Sequence, residues 1–308
     1  MPAWGRARSG HRPRLPRPLR ISGFTFVRNA IKYDYPIVEA VRSILPLCDE
    51  VVVAVGRSDD DTLGLVRSIG SPKVRILETV WDDSLREGGR VLAVETDKAR
   101  RAISPEADWA VYIQWAEVLH EDGLGALRAA MERWRDDRRV EGLLLDYRHF
   151  YGSYDYLGAA LHWYRREVRV VRTDPEIFSW RDAQGFRRRP ERKLRVKRAD
   201  AVIHHYGWVK HPAAMQGKQT SFNKYWHDDA WMKEHVADGA EYAYEGREPL
   251  ARFEGSHPAV MQPRIAAVNW KFSGDPAAVP LRTKDRVKLA VERLTGWRPF
   301  EYRNYEVI

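Results

Sequence analysis

Two spacings of apolar residues alternate along the first half of this chain. Ile21–Val27 is a short β-prone run, and Glu50–Val55 (EVVVAV) is a nearly continuous apolar run of strand length. Between them Asp34 offers a helix N-cap, Pro36 suits a first turn, and Ile37, Val41, Ile44 and Leu45 recur at helical spacing. The pattern repeats downstream. It predicts a short helix to Ile69, a strand at Val74–Leu77, a helix over Val91–Ile103 and a strand at Trp109–Gln114. A helix follows with Leu124, Leu127, Met131 and Trp134 on its apolar face, then a strand at Val140–Tyr147. Strands alternating with helices predict βαβ units and a mostly parallel sheet, and runs such as EVVVAV suit strands buried on both faces.

The second half is less regular. Arg166–Arg172, Leu194–Val196 and Ala201–His205 read as strands, and 211–237 as helical and rich in aromatics. Residues 240–282 are rich in Pro and Gly, and Val287, Ala290, Val291 and Leu294 mark one last amphipathic helix. The expected organisation is a basic arm over 1–19, one α/β domain over 20–275 and a helical extension over 276–308 packed on it.

Composition changes this picture in three places. With 44% hydrophobic and 31% charged residues, most of the chain is globular. No apolar run approaches the roughly 20 residues of a membrane span, and no signal-like apolar segment follows the N-terminal charges. These features predict a cytoplasmic protein. The net charge of +9 is concentrated at the start: residues 1–20 hold six arginines and no acid, leaving +3 for the rest. Such an arm reads as a disordered extension without function of its own, or as a contact for an anionic membrane, at its inner face, or for nucleic acid, which also needs a basic face on the folded domain. The run Arg187–Arg198 is a solvated basic face or a surface for an anionic acceptor or phospholipid. Cys48 is the only cysteine, which excludes an intrachain disulfide and a thiolate zinc cluster; its apolar surroundings predict a small core residue.

In open α/β sheets, ligands bind beyond the carboxyl ends of the strands. The polar clusters fall there: Arg28-Asn29, Gly56–Thr62, Trp81–Gly89 and Trp115–Glu121. Asp59, Asp60 and Asp61 are adjacent and repel one another, so helix amides, a cation or hydrogen-bonding ligand groups must offset that cost; Asp61 and Thr62 also suit capping of the next helix.

Phe26-Val27-Arg28-Asn29, then EVVVAVGRSDDDT, then Trp81-Asp82-Asp83, then Arg86-Glu87-Gly88-Gly89, with a later His205-Tyr206-Gly207-Trp208, resemble family 2 glycosyltransferases of a bacterial branch. The likeness runs from about Ile21 to the His-Pro-Ala-Val segment at 257–260. It implies a GT-A (Rossmann-like) nucleotide-sugar-binding fold, an NDP-sugar donor, a divalent cation (Mn²⁺ or Mg²⁺), usual inversion at the anomeric carbon, and a glycan, lipid-linked or surface-polysaccharide acceptor. Arg28, Asn29, Gly56, Ser58, Asp59 and Asp60 match the nucleoside-binding positions, and Trp81 and Asp83 the third loop. Arg86 either serves the phosphates or is a solvated cation at a helix start.

Relatives of this branch read Gln-Ala-Asp-Glu over positions 114–117, whereas this chain reads Gln114-Trp115-Ala116-Glu117. Ala116 supplies no oxygen to a hard cation. The resemblance leaves Glu117 and His205 as the metal ligands, with residue 116 facing the donor diphosphate; a packed or hydrogen-bonding role for His205 stays open. Glycosyl transfer also needs a carboxylate to take the acceptor proton. Asp182 is the candidate base and Glu167 the second; an ion pair of Asp182 with Arg181 or Arg187 is the competing reading. The aromatic stretch Tyr147, His149, Tyr151, Tyr154 and Trp163 either stacks on sugars or forms core. The alternative to an active enzyme is a catalytically impaired GT-A module that binds nucleotide-sugar or a partner without turnover.

Overall fold

The computed structural model describes residues 17–235 and 239–308. Residues 1–16 of the expected basic arm lie outside them. The arm's last residues are attached to the domain: Arg17 pairs with Asp108 at 2.5 Å, and Leu19 packs on the core.

The apolar runs become β1 (Ile21–Val27), β2 (Glu50–Gly56), β3 (Val74–Thr79) and β4 (Trp109–Tyr112). The helical spacings become α1 (Ile37–Ile44), α2 (Thr62–Arg67) and α3 (Arg90–Ala102). The strands pair in parallel in the order β3–β2–β1–β4. Val51 to Val55 are buried, as a strand covered on both faces requires. Each fully buried Val or Ile contributes about 1.5–3 kcal/mol, so this layer is the stable floor beneath the strand ends.

β5 (Glu117–Leu119), α4 (Leu124–Arg133), β6 (Gly142–Tyr151), β7 (Tyr156–Gly158) and β8 (Arg166–Arg172) follow. Then come β9 (Ile177–Trp180), β10 (Gly185–Arg188) and the long β11 (Arg192–Trp208). β8 runs antiparallel to both β4 and β6, and β6 and β11 are parallel. The central sheet β3–β2–β1–β4–β8–β6–β11 is therefore mainly parallel, with β8 alone reversed. The two expected strands Leu194–Val196 and Ala201–His205 are one strand, whose register shifts between Arg198 and Val202.

The rest wraps the sheet: α5 (Pro212–Asn223), α6 (Asp229–His235), β12 (Leu250–Arg252), α7 (Gln262–Ala266), α8 (Thr283–Thr295) and β13 (Tyr305–Val307). Two expectations differ here. Asp34 does not cap α1: it has φ +47°, and its carboxylate pairs with Arg264 at 2.5 Å. The C-terminal extension is not held by the apolar face of α8. No α8 residue is buried, and Leu294 is 86% exposed. Arg165 instead grips Glu292 at 2.5 Å and Glu301 at 2.8 Å, and β13 adds to β11 in parallel. Cys48 is buried in the core, as expected. No described helix is long and apolar enough to cross a membrane.

Candidate functional site

Because β1 to β4 all point the same way, their carboxyl ends deliver four loops to one edge. After β1, Asn29 turns into the left-handed region (φ +55°) and exchanges hydrogen bonds with the loop after β2. The Asp59 amide donates to Asn29 Oδ1 at 2.8 Å, and the Asn29 amide donates to Ser58 Oγ at 3.0 Å. Ser58 Oγ in turn donates to the Gly56 carbonyl at 2.8 Å. A Cβ on Gly56 would overlap the Trp81 indole, so glycine is what lets the third loop close on the second.

The three adjacent aspartates avoid one another by taking different partners. Asp59 pairs with Lys32 at 3.0 Å, which holds its carboxyl below the usual range. Asp60 accepts from the Lys32 amide at 2.7 Å and the Thr62 amide at 3.0 Å. Asp61 caps α2 through the Gly64 amide at 2.9 Å.

These loops and α5 enclose a cavity of about 770 Å³. Arg28, Asn29, Asp59, Asp83 and Arg86, all singled out in the sequence, line it. Ser58 and Asp60 line a neighbouring recess of about 410 Å³, and Trp81 is buried beneath. Three of the cavity's cations are paired: Arg28 with Asp83 at 2.6 Å, Lys32 with Asp59, and Arg86 with Asp229 at 2.9 Å. Lys224 also lines it and has no carboxylate partner among the described residues. The Arg28 Nε and Trp81 Nε1 donors are buried without a hydrogen-bond partner among the described residues.

Arg86 is not a solvated helix-start cation. Its Nε donates to the Lys224 carbonyl at 2.9 Å and a terminal nitrogen donates to the His227 carbonyl at 2.6 Å. The Gly89 amide donates to the Tyr225 carbonyl at 2.9 Å, and Lys218 Nζ donates to the Gly207 carbonyl at 2.7 Å. These bonds fix the α5 segment over the strand ends. Lys32, Lys224 and the α5 face were missed in the sequence. Lys32 lies only three residues beyond Asn29, a usable signal; α5 carries none, since it comes from a stretch far along the chain.

Asp182 lies next to the third loop at Gly89, and Glu167 lies near the start of β8, buried beside Gln184 and Gly185. Gly89 (φ +70°) separates Asp182 from Trp226; a Cβ there would sit 2.7 Å from Asp182 Cβ and 2.9 Å from the Trp226 ring. Asp182 itself occupies a strained turn, flanked by Arg181 (φ +52°) and Ala183 (φ +64°). Burial raises its carboxyl pKa. It forms no ion pair with Arg181 or Arg187; Arg187 donates to the Asn304 carbonyl at 2.6 Å instead. Glu167 accepts from Gln184 Nε2 at 3.2 Å and its own neighbour's amide at 2.8 Å, and burial pushes it up to about 7. Tyr147 and Tyr151 are buried and belong to the core, not to an open stacking surface.

The implied metal site does not assemble among the described residues. Ala116 is 2% exposed, its carbonyl accepts from the Tyr206 amide at 2.7 Å, and it lines no part of the cavity. Glu117 is fully buried against Arg169, with two 2.8 Å bonds from that guanidinium. His205 remains closer to the expectation. His149 Nε2 meets the Tyr164 carbonyl at 2.8 Å, so it carries the proton, and His149 Nδ1 accepts from His205 Nδ1 at 3.1 Å. That tautomer leaves His205 Nε2 with a lone pair. Burial keeps both rings neutral, His149 down to about 4 and His205 well below the usual value. One imidazole nitrogen does not make a site for Mn²⁺ or Mg²⁺, which take several oxygens. Among the described residues, no three His, Cys, Asp or Glu side chains cluster as a metal site requires. The residues present do not fit the divalent cation.

No protein-family model matches this chain, and no curated protein matches it in sequence. Among solved structures, S. aureus TarS 1–349 in complex with UDP is 13% identical, covering 72% of this chain and 68% of that one with a TM-score of 0.39. Glucosyl-3-phosphoglycerate synthase from Mycobacterium tuberculosis, in complex with Mn²⁺, UDP and phosphoglyceric acid, is 20% identical over 43% of each chain with a TM-score of 0.29. The 4-diphosphocytidyl-2C-methyl-D-erythritol synthase from Anaerococcus prevotii is 11% identical, covering 67% and 96%, with a TM-score of 0.36. The chain spans about two fifths of the length of the mycobacterial enzyme. The reading of the cavity therefore rests on this chain's own residues.

Proposed function

We propose that this chain is a GT-A glycosyltransferase of the family 2 type, moving a sugar from a nucleotide-diphospho-sugar to a hydroxyl of a glycan, lipid-linked or surface-polysaccharide acceptor. The observation that carries the reading is the cavity at the carboxyl ends of the parallel strands, lined by Arg28, Arg86 and Lys224. Negative charge grows on the departing diphosphate during transfer, and fixed guanidinium and ammonium groups stabilise it there. The pairing of Arg28 and Arg86 with Asp83 and Asp229 holds both guanidinium groups in place before the ligand arrives. The Asn29–Ser58–Asp59 network shapes the nucleoside end. Asp182 is the base: its strained turn holds a half-buried carboxyl with a raised pKa beside the third loop, suited to taking the acceptor proton as the sugar carbon is attacked with inversion.

A thermal-shift screen of UDP, GDP, CDP and ADP tests the binding half: one of them raises the melting temperature of the wild type and not of Arg86→Ala. No shift with any of them, nor with any nucleotide-sugar, removes the reading. Donor turnover tests the chemical half, and Asp182→Asn lowers it by at least about 100-fold.

A second reading is a catalytically impaired module that binds the nucleotide-sugar without turnover. Ala116 and the locked Glu117 favour it. Nucleotide binding with no donor hydrolysis or transfer under any metal condition selects this reading. Peripheral contact with an anionic membrane belongs to the same proposal. Exposed Leu294, Trp297 and Phe300, with Lys288 Nζ 5.3 Å from the Phe300 ring centroid, support it, and co-sedimentation with anionic but not neutral vesicles checks it.

A further inference from the structure

We infer that Arg169 permanently occupies the place of a divalent cation at Glu117, so that the nucleotide is bound without a metal ion there and its diphosphate is met by the cavity's own cations. The inference rests on the nucleotide-binding reading above, but its geometry stands apart from it.

A carboxylate has about four lone-pair positions. On Glu117 all four are taken. Oε1 accepts from an Arg169 terminal nitrogen at 2.8 Å and from the Tyr147 hydroxyl at 2.9 Å. Oε2 accepts from Arg169 Nε at 2.8 Å and from the Gln114 amide at 3.1 Å. No oxygen orbital is left for a metal, and both side chains are 0% exposed.

Arg169 is equally committed. Its other terminal nitrogen donates to the Val168 carbonyl at 3.0 Å and the Gln184 carbonyl at 2.8 Å. The guanidinium sits 5.2 Å from the Tyr112 ring centroid and 5.3 Å from that of Tyr147. A divalent ion approaching Glu117 must break a bidentate pair inside the core and share the site with a fixed positive charge. Both are unfavourable in a medium of low dielectric constant.

Trp115 fills the loop just before Glu117 with a large ring. It packs edge-on against Phe26 with ring centroids at 4.7 Å, tilts on Tyr35 at 5.4 Å and meets Phe222 of α5 at 6.5 Å. The two residues that depart from the family pattern thus act together. Ala116 removes the first oxygen ligand, Arg169 neutralises the second, and Trp115 occupies the same loop with an indole wedged among Phe26, Tyr35 and Phe222. The cations left to meet a diphosphate are those on the cavity wall: Arg28, Lys32, Arg86 and Lys224 against Asp59, Asp83 and Asp229.

The test titrates Mn²⁺ into the full chain and follows free Mn²⁺ by electron paramagnetic resonance, first alone and then with UDP or GDP. The control is the neutral double variant Glu117→Gln with Arg169→Met, which leaves no lone buried charge. The expected result is the same Mn²⁺ uptake by wild type and control, and nucleotide dissociation constants equal within about twofold in EDTA and in Mn²⁺. Mn²⁺ uptake by the wild type that the control loses overturns the inference. So does nucleotide affinity that rises about tenfold or more with Mn²⁺ in the wild type only. If no nucleotide binds in either condition, the glycosyltransferase reading fails, and the titration of Mn²⁺ alone still decides the inference. If the double variant does not fold, the Mn²⁺ titration of the wild type, with its nucleotide affinity in EDTA and in Mn²⁺, carries the test unaided.

Discussion

Two carboxylate-bearing loops follow parallel strands of this sheet at similar spacing and differ completely in what surrounds them. Asp59–Asp61 follow β2, with Asp59 on the cavity wall and Asp60 on the recess beside it, and Lys32 and backbone amides share their charge; the Asp59 side chain is 64% exposed. Glu117 follows β4 by a similar distance, yet lies in the core with Arg169 as its counter-ion. The difference teaches that a carboxylate at a strand end is a ligand site only if its lone pairs are left open. The first set is adaptable because solvent covers part of its cost. The second is a fixed structural unit because desolvation makes either charge intolerable without the other.

The largest expected effect is on the buried side. Arg169→Met strands the Glu117 carboxylate and destabilises the protein by about 3–5 kcal/mol, read by urea denaturation. Adding Glu117→Gln returns most of that loss. A cost no larger than that of an exposed pair would mean that Glu117 reaches solvent and would break the comparison.

Next is the neighbouring Glu167, which burial pushes up from 4.5 to about 7. The folded state then holds a proton that the unfolded state releases across that interval. Its contribution to stability is complete below pH 4.5 and is lost as pH rises to about 7. The wild type therefore loses on the order of 2 kcal/mol relative to Glu167→Gln between about pH 5 and pH 8. Parallel stability–pH profiles for the two proteins would show that Glu167 is ordinary.

Smaller effects belong to the exposed segment. Asp61→Ala removes the cap on α2 and costs about 1 kcal/mol, seen as a lower denaturation midpoint. Asp59→Asn breaks an exposed pair with Lys32 and costs less than about 1 kcal/mol, while weakening nucleotide binding in the same sample. Loss of stability without loss of binding at Asp59 would place the nucleoside elsewhere.

Much of this was legible in the chain. Continuous apolar runs fix β1 and β2, because strands covered on both faces tolerate little else, and β8 spans the residues expected for it, Arg166–Arg172. The cavity loops were legible for the same reason: parallel strands place their carboxyl ends together, so Arg28, Asn29, Asp59, Asp83 and Arg86 had to meet. Other features were hidden because their causes are distant in sequence. Asp34 looked like a helix cap but is claimed by Arg264, 230 residues away. The apolar spacing of α8 suggested burial, but ion pairs hold the extension and the face stays exposed.

By itself the sequence determined the order of strands and helices over the parallel half of the sheet, β1 to β4, and the edge where its polar loops gather. Local spacing and burial on two faces are enough for that. Only the tertiary structure decided which carboxylates are free. Glu117 and Arg169 are 52 residues apart, and no pattern along the chain announces that β8, reversed between β4 and β6, will carry a guanidinium into Glu117. Long-range charge pairing depends on which strand lies beside which, and that is settled only when the sheet closes.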